Sequence, residues 1–172
     1  NVGFDRVIRT WLYLGGILNE EGAGQRYKEL NRARTDFYQD IPFPANQHGS
    51  ASEGSSRRSY PASTGIGAAG RGITLSAIAL QTDREDIRCV ALENPRQTSA
   101  FDYAAHYSPQ SPKFSRAMAL SCGGYATIFV SGTASIVSSE TRHVGDAVAQ
   151  THETLDNIAA LISEDTLRRH DM

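Results

Sequence analysis

The sequence has few cysteines, no long apolar run and almost no net charge. Two cysteines stand among 172 residues, and the formal net charge is −2. A near-neutral chain lacks the basic surface that general nucleic-acid binding needs. No apolar run approaches the about 20 residues that cross a bilayer, and no secretory signal is visible. These absences predict a cytoplasmic protein with no nucleic-acid and no membrane partner.

The cysteines and histidines do not form a recognisable metal or redox motif. Cys89 and Cys122 lack the spacing of a ligand or redox pair, and both adjoin apolar strand-like runs, so we expect free buried thiols. Glu140 and His143 have the spacing of two ligands on one helical turn, but Gly145 favours a loop there and no second pair exists. The sequence therefore predicts no metal and no cofactor.

Hydrophobic periodicity predicts one α+β domain over residues 1–172. Strand-like runs occupy 7–14, 73–81, 87–92, 115–121 and 125–137, and helical spacing occupies 25–39 and 145–163. In the first helix the stem of Arg34 falls on the apolar side, and Asp146 is well placed to cap the second. Residues 61–70 contain three glycines, and we expect this segment to lead into the strand that begins at residue 73. The order predicts a mixed sheet of about six strands, with two main helices on one face.

The same periodicity predicts which side chains form the core. The predicted core residues are Ile8, Leu12, Leu30, Phe37, Leu75, Val90, Leu120, Phe129, Val130, Leu155, Ile158 and Ile162. Two irregular regions, 42–60 and 94–112, separate the elements, and loops of that length are usually functional or mobile.

Residues 129–162 carry the most specific pattern in the chain. A strand ends in Ser131-Gly132, and Gly145-Asp146, Gln150 and Asn157-Ile158 follow. This pattern resembles the RidA/YjgF superfamily, small trimeric proteins often described as L-PSP endoribonucleases or reactive-intermediate deaminases. The resemblance implies a RidA/YjgF-like (chorismate mutase-like) fold and a homotrimer that packs the open sheet faces together. The near-neutral charge gives the ribonuclease description no support.

The order of the elements is swapped relative to this superfamily. Residues 7–92 resemble the second half of a family unit, and residues 114–163 resemble the first half. A circularly permuted single unit would explain this order. A piece cut from a tandem protein would also explain it, and the start at Asn1 with the polar tail at 163–172 favours this second explanation.

A second segment resembles the chorismatase branch, whose members hydrolyse chorismate. Residues 132–137 read Gly-Thr-Ala-Ser-Ile-Val, and Glu140 follows them. In chorismatases this segment supplies the acid that protonates the departing enolpyruvyl group. The resemblance therefore implies that Glu140 is a catalytic general acid and that Thr133 lies in the substrate site. An exposed loop glutamate is the alternative interpretation.

Residues 94–117 also resemble the chorismatase pattern. The resemblance implies that Arg96, Tyr103, Tyr107 and Arg116 bind substrate, since an arginine grips a carboxylate through two parallel hydrogen bonds and chorismate carries two carboxylates. We expect Glu140 to line a cleft between the sheet and a neighbouring unit, with Arg116, Tyr103 and Thr133 on the same wall. The alternative is that Arg96 and Arg116 are structural and pair with loop carbonyls or surface acids.

The chain departs from both families at informative positions. Gln110 stands where chorismatases usually have an arginine, and Phe101 replaces a tyrosine. The arginine that deaminases carry after Pro-Ala is absent, because Ser63 and Thr64 follow Pro61-Ala62. The sequence favours a chorismatase-like hydrolase or lyase that acts on a small carboxylated metabolite. The alternative is a non-catalytic ligand-binding or regulatory RidA/YjgF-family protein, or a reactive imine deaminase.

Overall fold

A computed structural model describes residues 2–22, 24–43, 45–46, 57–104, 110–170 and 172. Its strands, in chain order, are β1 (Val7–Gly15), β2 (Glu20–Glu21), β3 (Gly24–Gln25), β4 (Ala45–Asn46), β5 (Arg57–Arg58), β6 (Ala62–Ala68), β7 (Ile73–Ala79), β8 (Arg88–Leu92), β9 (Ala117–Cys122), β10 (Tyr125–Val130), β11 (Ile136–Val137) and β12 (Glu140–Thr141). The helices are α1 (Arg26–Tyr38), α2 (Ala147–Leu161) and α3 (Glu164–Arg168). This is the mixed α+β architecture that the periodicity predicts.

Six of the strands form two sheets of three rather than the mixed sheet of about six that the sequence predicts, and the other six described strands pair in twos. In the first sheet β1 lies between the parallel β6 and the antiparallel β7, and the second sheet has the order β10-β9-β8. The two sheets meet where β6 begins: Ala62 forms a single bridge to Ser115, and Gly132 N donates to Ser63 O at 3.1 Å. The two sheets adjoin at these contacts but do not continue into one ladder.

Strand β6 is the longest of the elements that the periodicity missed. Its segment has glycines at 65 and 67, which are unfavourable in strands, so the pattern predicts only a lead into the next strand. The pairing partner decides the outcome, since β1 holds β6 in parallel register over seven residues, with Thr10 opposite Ser63. A Cβ at Gly65 would lie 3.1 Å from Tyr27 of α1, so glycine permits the close approach of this helix.

The two main helices pack on different sheets. Helix α1 reaches β6 through the hydrogen bond from Arg34 to Ser63, and Leu161 of α2 packs against Leu92, Ala117 and Ala119 of the second sheet. The predicted cap of α2 is confirmed, because Asp146 Oδ1 accepts a hydrogen bond from Ala149 N at 3.0 Å. None of the helices that the structure describes has the length and apolar character to cross a bilayer.

The core consists largely of residues other than those that the periodicity predicts. Ile8 and Leu12 are buried as predicted. Four other predicted core residues are 41% to 57% exposed, and these predictions were wrong: Phe37, Leu75, Leu155 and Ile162. Both cysteines are also exposed rather than buried. Periodicity identifies the apolar side of an element, but burial requires a second element that covers that side, and the described residues leave these four side chains about half exposed.

Candidate active site

Arg116 lies at the centre of the candidate site, directly before β9. The residue is only 4% exposed. Its Nη2 donates to the carbonyl oxygen of Thr98 at 2.5 Å and to the phenol oxygen of Tyr103 at 2.7 Å. Its guanidinium carbon lies 5.5 Å from the ring centre of Tyr103 and 5.7 Å from that of Phe114. The structure thus brings together two of the predicted substrate-binding residues, and we call these four residues the Arg116 cluster.

Glu93 lies beside this cluster, and sequence reasoning missed it. Its Oε1 accepts a hydrogen bond from the backbone N of Arg116 at 3.3 Å, and its Oε2 is buried with no hydrogen-bond partner among the described residues. Burial raises the pKa of Glu93 to about 7, although a hydrogen bond with Ser99 and the charge of Arg116 act in the opposite direction. The site therefore contains a carboxyl group that titrates near neutral pH. The only sequence signal was its position at the end of an apolar strand.

Glu140 lies on the short hairpin of β11 and β12, which the backbone ties to residues 96–98. Ser138 N donates to Arg96 O at 2.7 Å, and Thr98 N donates to Ser138 O at 2.8 Å. The side chain of Glu140 is 68% exposed, and its Oε2 lies 3.3 Å from Nη2 of Arg142. The hairpin is thus attached to Thr98, whose carbonyl accepts from Arg116, but Glu140 itself lines neither of the two cavities described below.

Thr133 lines two cavities. The first, of about 260 Å³, is lined by Thr133 and Gly132 together with Leu12, Ile17, Leu18, Tyr27, Leu30, Arg34, Ser63, Gly65 and Phe114. We call it the Arg34 cavity. The second, of about 500 Å³, runs between residues 133–136 and the first half of α2. Gln97 holds Thr133 in place. Its Nε2 donates to Thr133 Oγ1 at 3.3 Å and to Ile136 O at 3.0 Å.

Arg96, another predicted substrate-binding residue, does not join the Arg116 cluster in the described structure. Arg96 Nη2 lies 2.5 Å from Oε1 of Glu153 on α2, and His143 Nε2 lies 3.2 Å from the other oxygen of that carboxylate. Arg96 thus pairs with an acidic side chain of α2, and its part in substrate binding stays a prediction. Tyr107 lies outside the described residues.

Two asparagines hold the loops of the site together. Asn157 of α2 is fully buried, and its Nδ2 donates to the carbonyls of Ala134 and Ile136 at 3.1 and 2.9 Å. Asn94 Nδ2 donates to the backbone carbonyl of Asn157 at 2.8 Å. The helix, the 94–97 turn and the segment after Thr133 are therefore fixed relative to one another. No group of three or more His, Cys, Asp or Glu side chains in the described ranges could hold a metal ion.

Comparison with known proteins gives matches to chorismatases. The chain is 34% identical to a 3-hydroxybenzoate synthase of Streptomyces hygroscopicus, over 98% of this chain and 46% of that protein. It is 37% identical to a chorismatase of Streptomyces rapamycinicus, over 99% of this chain and 47% of that protein. No family model matches.

A solved structure shows the same similarity. The crystal structure of a chorismatase superposes with a TM-score of 0.81 and 31% sequence identity, over 96% of this chain and 46% of that one. The chain therefore spans about half the length of the relatives it matches. Together the sequence and structure matches support the chorismatase branch of the resemblance.

Proposed function

We propose that the protein is a chorismatase-like hydrolase or lyase acting on a small carboxylated metabolite related to chorismate. The contact between Arg116 and Tyr103 carries the proposal, because it builds a buried cation with a hydroxyl beside it in a chain similar to chorismatases. A guanidinium of this kind holds a carboxylate through charge-assisted hydrogen bonds. Tyr103 adds a polar contact and an aromatic wall.

In this proposal Glu140 is the general acid. It gives a proton to the methylene carbon of the enolpyruvyl group, water adds to the oxocarbenium carbon that results, and the hemiketal breaks its C–O bond to the ring, so that pyruvate and a ring alcohol form while Arg116 holds the carboxylate in place. A carboxyl group acts as an acid near neutral pH when its surroundings exclude water, and the side chain of Glu140 is 68% exposed within this chain. Bound substrate or a neighbouring unit therefore has to cover the hairpin, as the predicted cleft requires.

The neighbouring unit is a second part of the proposal. Ile73 and Leu75 of β7 are 55% and 52% exposed, and their spacing of two residues places both on one face of the first sheet. Exposed apolar faces of this kind commonly bind a partner. We propose that copies of the protein assemble as the homotrimer that the resemblance implies. A strictly monomeric mass by light scattering would contradict this assembly.

The test of the reaction follows pyruvate release from chorismate by the full-length protein. We expect Glu140→Gln to lower turnover by about 100-fold or more and to keep ligand affinity, since the amide cannot donate the proton. Glu164→Gln is the matched control, because Glu164 is also exposed and pairs with an arginine, Arg168. Equal pyruvate release by wild type and Glu140→Gln, or none from wild type above the spontaneous rate, would refute the proposed reaction.

A non-catalytic binding protein is the second candidate. Gln110, which replaces the usual chorismatase arginine, has a buried Oε1 with no hydrogen-bond partner among the described residues. Loss of that arginine removes a charge partner for one substrate carboxylate. Binding of chorismate without pyruvate release would favour this second candidate.

A further inference from the structure

Arg34 is a buried cation whose hydrogen-bond partners are neutral. The residue lies on α1 and is 8% exposed. Its Nη2 donates to Asn31 Oδ1 at 2.7 Å, and its Nη1 donates to Ser63 Oγ at 3.1 Å. Its Nε is buried without an acceptor, and no acidic side chain pairs with Arg34 in the described part of the chain.

Such an arrangement is costly unless an anion completes it. Removing a charge from water is unfavourable, and burial lowers the pKa of Arg34 for this reason, yet a guanidinium stays protonated in proteins. Both of its acceptors are neutral. The N–H groups of the guanidinium therefore have no charged partner among the described residues. A carboxylate is the group that matches the planar fork of an arginine.

The lining of the Arg34 cavity suits a ligand in which the carboxylate is attached to a ring. Leu12, Ile17, Leu30, Tyr27 and Phe114 supply apolar and aromatic walls, while Arg34, Ser63 and Thr133 supply polar groups. Gly65 and Gly132 leave space along the cavity because they have no side chains. A flat carbocycle with one carboxylate suits mostly apolar walls that converge on a few polar groups.

Phe114 connects this cavity to the Arg116 cluster. Its ring centre lies 5.7 Å from the guanidinium carbon of Arg34 and 5.7 Å from that of Arg116. Two buried arginines therefore contact one aromatic ring, and each has a charge that no described acid neutralises in an ion pair. A small molecule with two separated carboxylates would satisfy both.

We propose that Arg34 binds the ring carboxylate of a cyclic dicarboxylate in the Arg34 cavity, while Arg116 binds the second carboxylate. This inference rests on the proposed function for the identity of the substrate class. Arg34 is then an additional substrate-binding residue. The sequence pattern predicts only that its stem lies on the apolar side of the first helix.

The test measures binding of two probes by titration calorimetry. Chorismate carries both carboxylates, whereas 3-hydroxybenzoate carries only the ring carboxylate. We expect Arg34→Met to weaken binding of both probes by about 10- to 100-fold. Arg34→Lys, which keeps the charge without the fork, should lose less. Arg9→Met is the matched control, since Arg9 is 4% exposed, stacks 4.5 Å from the ring centre of Trp11 and does not line the cavity.

The outcomes separate this inference from the proposed reaction. Unchanged affinity of Arg34→Met for both probes overturns the inference, even if the protein releases pyruvate. Absence of 3-hydroxybenzoate binding to wild type overturns it as well. Arg34-dependent binding without pyruvate release keeps the inference and refutes the reaction. If Arg34→Met does not unfold cooperatively, Arg34→Lys decides, and wild-type affinity in that variant overturns the inference.

Discussion

The hydroxyl of Ser139 donates to the hydroxyl of Thr98 at 2.8 Å. Thr98 also accepts from Arg116 through its carbonyl oxygen. One residue therefore connects the hairpin that carries the predicted acid, Glu140, with the arginine proposed to hold the substrate. This link positions two groups that lie far apart in the sequence.

Replacing the Thr98 hydroxyl should affect turnover more than binding. Thr98→Val keeps the shape and the backbone hydrogen bond to Ser138 but removes the acceptor of Ser139. We expect pyruvate release to slow by about 3- to 10-fold with little change in KM, because misplacement of a catalytic group costs rate. The exposed Thr127 on β10 gives the matched control, Thr127→Val. A change in KM alone would contradict the positioning role.

Arg116 and Tyr103 should act as a unit in ligand binding. Arg116→Ala removes the charge, and Tyr103→Phe removes the hydroxyl at 2.7 Å while the ring remains. We expect both variants to bind chorismate more weakly, with a coupling energy of about 0.5–3 kcal/mol in the double-mutant cycle. The measurement is the dissociation constant of each single and double variant. Strictly additive effects would show that the contact does not contribute to binding.

The buried Glu93 should make the protein less stable as pH rises. Its pKa is raised from an ordinary value of 4.5 to about 7, so the folded state binds more protons than the unfolded state between these values. Its contribution to the free energy of unfolding is therefore full below pH 4.5 and falls until about pH 7, by about 3 kcal/mol.

Glu93→Gln tests this contribution, because the amide has nearly the same shape and does not titrate. Denaturant unfolding of both proteins at pH 4 and pH 8 gives the comparison. We expect the free energy of unfolding of the variant, minus that of wild type, to be about 3 kcal/mol more positive at pH 8 than at pH 4. A difference that does not change with pH would contradict the raised pKa.

Asn157 should be intolerant of even an isosteric change. Its buried Nδ2 donates to two carbonyls, those of Ala134 and Ile136. Asn157→Asp replaces this donor by an acceptor, so each orphaned carbonyl costs about 1–3 kcal/mol. The neighbouring exposed Asp156 gives the control, Asp156→Asn. Thermal unfolding at neutral pH is the measurement, and equal midpoints for Asn157→Asp and wild type would contradict the role of these bonds.

The sequence by itself determined the features that depend on neighbouring residues. The order of β1, α1, β7, β8, β9, β10 and α2 follows from periodicity, and the cap of α2 follows from Asp146. The family resemblance assigned Arg116 and Tyr103 to the substrate site; the two side chains are in contact, and their role in binding stays a prediction. That resemblance also pointed to chorismatases, which the matches support. The roles of Glu140 and Thr133 stay predictions.

The tertiary structure alone decided burial, pairing and charge environment. Strand β6 forms despite its glycines because β1 lies beside it. Phe37 is exposed despite its place on the apolar side of α1, because the edge contact with Phe4, whose ring centre is 5.0 Å away, does not cover its ring. Glu93 and Arg34 look ordinary in the sequence, and they became candidates only when folding buried a carboxyl group beside Arg116 and a guanidinium beside a cavity. Desolvation depends on groups far apart in the chain, so no local pattern reports it.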